Sequence, residues 1–415
     1  MAVFPFTVRA IDSENAFSDR QFSINVRNTR VERYLIIDST NAWTSNDLVN
    51  WTIRLGQGGT HCAYGNGMWM VIAGTGIRTS ADGINWTFTP TANLVVTRPN
   101  GDAATWVSPT SAFDSGTSTS LNFAGGRFWF SRTETNVGHE LFSSADGINW
   151  RRQIVLPPSG SWNLTSQFIQ YSKRSVVDVG GGTLLYNSNT TISSVPALSV
   201  IGYISTDNGV TWAGLRRNDL ATTASQCSSY LTRFNGVYYA FSTQPQNPGG
   251  NPYAGTSMTY SYSTDGSNWI NSTLNTGNAG SLADFNRHPT SVCYYVNGQL
   301  VVLGGRTGAN TSGIGHLQTR SVNGTGWEID LNRIKNLNSA ALNSAGSNPS
   351  WQYRNGVLLG TINVITGTDT TQTTTVSGPG VRYSVDGGLT WAASFPLTST
   401  GTTNLTGYTD AAIMG

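Results

Sequence analysis

Charged side chains are scarce in this sequence. They make up 11% of the 415 residues, against roughly 25% in an average soluble domain. Arginine supplies nearly all of the positive charge, because only two lysines occur, and the formal net charge is +2. A chain so close to neutral offers no basic surface for nucleic acid, so we expect no nucleic-acid partner.

Residues that build disulfides and metal sites are also rare. The three cysteines include no Cys-x-x-Cys pair, which argues against a disulfide framework or a zinc cluster. The four histidines are isolated from one another, and no His-Glu-x-x-His occurs. The glycine run 180–182 lacks the Lys-Ser/Thr of a phosphate loop. We therefore predict no metal and no cofactor.

Long apolar runs are missing as well. No stretch approaches the roughly 20 apolar residues of a membrane span, so we expect no membrane partner. Residues 1–7 show no basic segment followed by an apolar run, which predicts that no export signal is present. Gly, Ser, Thr, Asn and aromatic residues take the place of charge, and this composition favours many short strands separated by turns.

One short motif that ends in tryptophan recurs seven times. Its acidic or amide position and its tryptophan are, copy by copy, Asp47 and Trp51, Asp82 and Trp86, Asp146 and Trp150, Asp207 and Trp212, Asp265 and Trp269, Asn323 and Trp327, and Asp386 and Trp391. An aspartate in a tight turn accepts hydrogen bonds from nearby backbone N–H groups, a glycine supplies positive φ, and the tryptophan anchors the hairpin in the core. These residues are therefore predicted to be structural rather than catalytic.

The two longer copies, 205–212 and 384–391, read Ser-x-Asp-x-Gly-x-Thr-Trp. They resemble the Asp-box, or bacterial neuraminidase repeat, of sialidase-like propellers. The resemblance covers the chain from about residue 30 to its end. It implies a β-propeller, and residues 50–86 leave room for four strands between copies. We therefore predict an all-β fold, a seven-bladed β-propeller of four-stranded antiparallel blades over residues 30–415.

The connections between predicted strands differ at the two ends of the blades. Asn-Gly turns and the motif turns fall at one end. The extra residues fall at the other end, where 90–118 is the longest insertion, and such an elaborated face usually binds a ligand. The first blade has only three strands in sequence order. We predict that the C-terminal strand within 407–414 supplies the fourth and closes the ring.

Residues 1–29 do not fit the repeat. They alternate apolar and polar positions on both sides of 15–19, which predicts a β-hairpin arm with an apolar stripe of Phe4, Phe6, Phe22 and Ile24. The hairpin resembles the last two strands of an immunoglobulin-like or cadherin-like repeat. An isolated hairpin is marginal in water. We therefore predict an attachment arm that docks on its own propeller, on copies of the chain or on other virion proteins.

The sequence offers no clear catalytic set. The sialidase resemblance implies an arginine triad, a Tyr–Glu pair, an acidic Asp and an Arg-Ile-Pro motif, but no Arg-Ile-Pro occurs and only five glutamates exist. The loop acids Asp102, Asp114, Glu134 and Glu140 show no spacing that singles out a glycosidase pair. Five arginines mark a candidate ligand face: Arg98, Arg132, Arg174, Arg217 and Arg306.

Taken together, these patterns predict a non-enzymatic structural or binding component of a bacteriophage particle, located in the virion. The reasons are the fibre-like composition, the missing export signal and the orphan hairpin. The alternative is a carbohydrate-binding adhesin or a sialidase-like glycoside hydrolase, extracellular, with a host-surface glycan as partner.

Overall fold

The fold was analysed in a computed structural model of the chain. The structure describes residues 2–11, 17–26, 31–98, 121–134, 138–156, 176–186, 200–216, 228–242, 257–275, 290–305, 316–321, 328–329, 351–367, 376–390, 392–394 and 408–415. Across these ranges the chain is built of strands. One 3-10 turn, Thr91–Asn93, is present, and the described ranges contain no α-helix.

The strands fall into a separate hairpin and a series of sheets that follow one another along the chain. The hairpin pairs β1 (Ala2–Ile11) with β2 (Phe17–Val26). The next two sheets contain β3 (Tyr34–Ile37), β4 (Ala42–Ser45) and β5 (Thr52–Arg54), then β6 (His61–Gly65), β7 (Met68–Ala73), β8 (Gly76–Ser80) and β9 (Thr87–Pro90). The third contains β10 (Val95–Thr97), β11 (Asn122–Ala124), β12 (Arg127–Glu134), β13 (Gly138–Ser144) and β14 (Asn149–Leu156).

The second half of the chain repeats the four-stranded unit. Its sheets contain β15 (Val176–Asp178), β16 (Leu184–Tyr186), β17 (Val200–Ser205) and β18 (Ala213–Arg216), then β19 (Ser228–Phe234), β20 (Val237–Ser242), β21 (Ser257–Ser263) and β22 (Ile270–Asn275). They continue with β23 (Thr290–Val296), β24 (Gln299–Gly305), β25 (His316–Ser321) and β26 (Glu328–Ile329), then β27 (Trp351–Arg354), β28 (Val357–Gly367), β29 (Val376–Ser384) and β30 (Ala392–Ser394). The last strand is β31 (Asp410–Ile413).

The fold is an all-β propeller with antiparallel four-stranded blades, but the predicted number of such blades is wrong. Six sheets, not seven, have four strands among the described residues. A further sheet has five, because β10 pairs in parallel with the outer strand β14. Residues 95–97 lie within the segment 90–118 that the sequence assigned to loop. Pairing of β10 depends on a strand more than 50 residues further along the chain, so local pattern could not reveal it.

The ring closes through the C-terminal strand, as predicted. β31 pairs antiparallel with β3 and completes a sheet in the order β31-β3-β4-β5. In each sheet, the strand at the edge that contacts the neighbouring sheets around the ring is called the inner strand. The inner strands are β31, β6, β11, β15, β19, β23 and β27. Inner strands contact one another in order from β19 through β23, β27, β31, β6 and β11 to β15, and β16 and β17 contact β19. β31 thus fills the missing inner position of the first sheet, and the series of sheets closes on itself.

The core lies between successive sheets. Leu35, Cys62 and Val71 belong to one buried cluster between the β31-β3 pair and the β6–β9 sheet. Met70, Phe128 and Trp150 belong to the next, on the opposite face of β7. Because both faces of each sheet are covered, the central strands read as apolar runs rather than as alternating patterns.

Each sheet has two ends, which we call the turn face and the loop face. The turn face carries the motif turns and the links between the first and second strands. These turns touch: Asn66 Nδ2 donates to the carbonyls of Gly126 and Ala145, at 2.9 and 3.1 Å, and Gly387 N donates to Gly356 O at 2.8 Å. The loop face carries the other connections, and the differences in connection length between sheets are concentrated there.

The hairpin is described by its own register. The register of the hairpin pairs Phe4 with Ile24 and Phe6 with Phe22, so the four residues of the predicted apolar stripe form two cross-strand pairs. The chain then reaches the propeller at Glu32, whose N–H donates to Asp82 O at 3.0 Å. The division into an arm and a propeller remains a prediction.

Candidate functional site

The motif turns bind their own aspartates tightly. In the second copy, Asp82 Oδ1 accepts hydrogen bonds from the N–H groups of Ile84 and Asn85, both at 2.8 Å, and Asn85 Nδ2 donates to Oδ2 at 2.7 Å. The Ser80 hydroxyl donates to Asp82 and accepts from Gly83 N. Equivalent bonds hold Asp47, Asp146, Asp207, Asp265 and Asp386. These six carboxylates are committed to local structure.

In the longer copies a different side chain donates to the second carboxylate oxygen of the aspartate. In them a threonine hydroxyl replaces the asparagine amide, and Thr211 and Thr390 each donate to the second carboxylate oxygen at 2.6 Å. The first copy lacks the glycine, and Leu48 takes its place with a φ of 66°. Leu48 is buried among residues of the neighbouring sheet, so apolar contact offsets the strain of a left-handed backbone.

The tryptophans of these turns anchor the hairpins, and all the described ones except Trp212 donate a ring N–H hydrogen bond. Trp51, Trp86, Trp150 and Trp269 donate their ring N–H to the carbonyl of the glycine position in their own turn. Trp150 and Trp269 are buried, and Trp51, Trp86 and Trp212 are half-buried. The ring nitrogen of Trp212 has no partner among the described residues. Asn323, Trp327 and Trp391 lie outside the described ranges.

The hydrogen bonds lower the pKa of the turn aspartates. Burial alone would raise the pKa of Asp82, but the N–H groups of Asn85 and Ile84 outweigh it and hold the pKa at about 2. The pKa of Asp146 is also held at about 2, against burial, by the side chain and N–H of Asn149. The pKa values of Asp47, Asp207, Asp265 and Asp386 are lowered in the same way. A carboxyl held ionised this far below neutrality is unsuited to act as a general acid.

A different kind of acid lies at the loop-face mouth of the inner ring. Asp410 is the first residue of β31 and is only 1% exposed. Its carboxylate accepts hydrogen bonds from Cys62 N on the neighbouring inner strand, at 3.0 Å, and from Ala411 N, at 2.9 Å. The Cys62 N–H lies on the open edge of β6, so Asp410 caps a backbone group that no strand can pair. The sequence did not single out Asp410.

His61 sits beside this carboxylate. Its Nδ1 lies 3.7 Å from Asp410 Oδ2, and its side chain is 17% exposed. Thr409, one residue before Asp410, donates its N–H to Ile37 O and its hydroxyl to Gly59 O, which fixes the entry into the strand. A buried carboxylate therefore lies beside a partly exposed imidazole, a side chain that can donate or accept a hydrogen bond. In the sequence, His61 is one of four isolated histidines, and nothing there pairs it with Asp410.

The predicted ligand-face arginines are mostly outside the described ranges. Arg174, Arg217 and Arg306 belong to that group. Arg98 is exposed and follows β10 on the loop face, and Arg132 lies in β12 directly opposite Glu140. The five arginines are therefore not brought together by the described part of the chain, and their shared role as a ligand face stays a prediction.

Of the loop acids, Glu140 is described with its partner. It is fully buried in β13 and forms an ion pair with Arg152 of β14. A similar pair joins buried Glu32 to Arg54 at the turn face, at 3.3 Å. Breaking either pair would leave a buried charge uncompensated, so both stabilise the arrangement of neighbouring strands. The side chain of Glu134, at the end of β12, and residues Asp102 and Asp114 lie outside what the structure describes.

No helix in the described part of the chain is long and apolar enough to cross a membrane. In the same ranges, no group of three or more His, Cys, Asp or Glu side chains is placed to hold a metal ion.

Comparison with known proteins gives structural matches alone. No protein-family model and no curated protein matches the chain. One similar structure is a GH43 β-1,3-galactosidase with galactodeoxynojirimycin, at 10% identity and a TM-score of 0.36, covering 77% of this chain and 97% of that one. A GH43 endo-arabinanase from Bacillus licheniformis has 14% identity and a TM-score of 0.32, over 68% and 95%.

A third match is longer than this chain. The GH74 xyloglucanase from Xanthomonas campestris has 13% identity and a TM-score of 0.37, over 91% of this chain and 46% of the enzyme. The chain thus spans about half of that protein. At such identities the likeness shows a propeller fold alone.

Glycoside hydrolases of families GH43, GH32 and GH74 nevertheless recur among these structures. This finding corrects two predictions. The prediction of a non-enzymatic component of a phage particle is wrong, and so is the prediction that the chain is not an enzyme. The alternative of a carbohydrate-binding or glycoside-hydrolase-like propeller agrees better with the finding, and its site has to be argued from the chain's own residues.

Proposed function

We propose that this chain is a carbohydrate-active propeller of the glycoside-hydrolase type, which binds a glycan at the loop-face mouth of its inner ring. The supporting observation is the pair formed by partly exposed His61 and buried Asp410 at that mouth. Concave sites with a few converging polar groups are where small ligands bind, and the mouth of a closed ring is the natural concavity of this fold.

The chemistry of the pair suits a sugar hydroxyl or a glycosidic oxygen. His61 can donate or accept a hydrogen bond, and the Asp410 carboxylate lies beside its ring. Glycoside hydrolysis usually employs two carboxylates. Asp410 is engaged by backbone N–H groups, so a catalytic pair would have to come from the loop acids Asp102, Asp114 and Glu134.

Two further assignments belong to the same proposal. The motif turns are Asp-box copies of the sialidase-like type, supported by the bonding of their serine, aspartate and glycine. Residues 1–29 are an attachment arm that docks on a copy of the chain, supported by the apolar cross-strand set in its register. The exposed guanidinium of Arg98 on the loop face would favour an acidic glycan.

The test combines binding and turnover. Wild type, His61→Ala and Leu55→Ala are titrated with neutral and acidic oligosaccharides and incubated with fluorogenic glycosides. Leu55 is a matched control because it is 61% exposed on the same face, at the outer edge of its sheet. We expect His61→Ala to lose at least tenfold in affinity or turnover while Leu55→Ala keeps both. Equal behaviour of His61→Ala and wild type, or no binding by any of the three, would overturn the proposal.

A further inference from the structure

The five-stranded sheet carries a row of polar side chains on one of its faces, near the turn-face end. Trp129 lies opposite Ser143 in the register, and Ser143 lies opposite Arg151, so these three side chains point to the same side. The Trp129 ring packs edge-on against Trp212, with the centroids 5.8 Å apart, so this side faces the β15–β18 sheet. Arg127, two residues before Trp129 in β12, points the same way.

Two guanidinium groups, which we call the guanidinium pair, meet on this face. Arg127 donates from Nε to Ser143 Oγ at 3.2 Å and from Nη2 to Ser143 O at 3.4 Å. Arg151, directly across from Ser143, donates from Nη2 to Val210 O of the next motif turn at 3.4 Å. Burial and the nearby charge of Arg151 both lower the pKa of Arg127. Like charges at this range repel, so an anion bound between them would be favoured.

No carboxylate among the described residues forms an ion pair with either guanidinium. The acid of the same sheet, Glu140, pairs with Arg152, which alternates to the opposite face of β14. The carboxylates of the two adjacent motif turns, Asp146 and Asp207, accept hydrogen bonds from the N–H groups of their own turns. The pair therefore keeps N–H donors for a ligand, on the Nη1 atoms of both side chains.

A buried acceptor lies beside the pair. Gln153 follows Arg151 by two residues on the same face of β14 and is 5% exposed. Its Nε2 donates to Val210 O at 2.8 Å, so the amide and the Arg151 guanidinium share one acceptor. Its Oε1 is buried without a hydrogen-bond partner among the described residues. An unmet acceptor is costly, and a ligand hydroxyl that donates to it would remove that cost.

The fifth strand extends this face outward. Thr97 of β10 lies beside Arg151 in the parallel register, and Val96 belongs to the buried cluster on the opposite face. Val95 and Thr97 therefore point to the same side as Arg151, and Val95 is 51% exposed. Both members of the guanidinium pair are half-buried. The face is thus open to solvent at its outer end and polar further in.

We propose that the guanidinium pair and Gln153 form a binding site for an acidic saccharide, in the groove between the five-stranded sheet and the motif turn 205–212. A carboxylate or sulfate group of the saccharide pairs with Arg127 and Arg151, and a neighbouring hydroxyl donates to Gln153 Oε1. This site lies at the turn-face end of the sheet and does not depend on the loop-face mouth.

The test uses the full chain in calorimetric titrations with trigalacturonate, a sulfated carrageenan tetrasaccharide and neutral maltotriose. Arg127→Gln and Arg151→Gln should each weaken binding of the preferred acidic probe by about tenfold or more, since a charged hydrogen bond is of that size. Arg233→Gln is the matched control, because it removes the same charge from an exposed arginine on another sheet. Thermal melting of each variant checks that the fold is intact.

The comparison of the two acidic probes identifies the anionic group as carboxylate or sulfate. No binding of either acidic probe, equal binding of maltotriose, or unchanged binding in both Arg127→Gln and Arg151→Gln would overturn the proposal. An equal loss in Arg233→Gln would also overturn it, because attraction would then be unspecific. His61→Ala separates this site from the proposed function: it should bind the acidic probe as wild type does, and loss of binding in His61→Ala alone would place the saccharide at the loop face instead.

Discussion

The turn aspartates and Asp410 are both carboxylates fixed by backbone N–H groups, but they act over very different distances. Asp82 accepts from residues two and three positions along the chain, as do Asp47, Asp146 and Asp265, and in the two longer copies the donors are three and four positions along. Asp410 accepts from Cys62, which is 348 residues away in sequence. The first kind of acid shapes one hairpin, and the second joins the two ends of the ring. Their loss should therefore have unequal consequences.

Replacing the closing acid should have the largest effect. Asp410→Ala leaves the buried N–H of Cys62 without its acceptor and opens a gap in a fully buried strand. We expect a loss of about 3 kcal/mol in the free energy of unfolding, from unsatisfied donors and lost packing. Denaturant melting measures this loss. Asp410→Asn, which keeps an acceptor oxygen, should lose less, and an equal loss in both variants would show that the carboxylate does not act through these bonds.

Removing one turn aspartate should have a moderate effect that depends on pH. The folded pKa of Asp146 is about 2, below the unfolded value of about 3.9. The stability it supplies is therefore present above about pH 4 and is lost as pH falls toward 2. Asp146→Ala should cost about 1 kcal/mol at pH 7, as helix-cap aspartates do.

The comparison variant in that experiment is Asn85→Ala, which removes one side-chain bond to a turn aspartate and leaves the carboxylate in place. Melting temperature is followed from pH 7 to pH 2. The difference between wild type and Asp146→Ala should shrink as the pH falls below 4. A difference that stays constant down to pH 2 would mean that the ionised form has no special role.

Deleting the arm should have the smallest effect on the fold. Residues 1–29 precede Glu32, whose N–H is bonded to Asp82 O of the ring, and the closing strand is supplied by 410–413. We expect the melting temperature of the truncated chain to stay within a degree or two of the full chain. Self-association, measured by sedimentation, should fall if the arm docks on another copy. A collapse of the fold on truncation would identify the arm as part of the propeller core.

Local features of this fold were predictable from sequence because their causes are local. The Asn-Gly turns adopt the expected left-handed pair, as at Asn66 with φ 48° and Gly67 with φ 73°. The motif turns show the bonding expected of their Ser, Asp and Gly residues. Pairing of the C-terminal strand was predictable because the first sheet lacked one strand.

Other features depend on contacts that no local pattern encodes. The parallel pairing of β10 on β14 joins segments separated by a long insertion, so 95–97 was assigned to loop. The pairing of His61 with Asp410 arises because ring closure brings residues near both ends of the propeller together. The exposure of the Tyr295 side chain is also not predictable from sequence. Tyr295 and Tyr64 both lie two residues before the asparagine of an Asn-Gly turn, yet Tyr295 is 54% exposed and Tyr64 is 7% exposed.

Closure by β31 also bears on the order in which the protein can form during synthesis. The N–H of Thr409 donates to Ile37 O across 372 residues. At roughly 5–20 residues per second, the ribosome synthesises β31 on the order of half a minute after β3. During that interval the open side of β3 is an unsatisfied pairing edge on a nascent chain. A chaperone or the early docking of another segment over β3 would protect it until the last strand emerges.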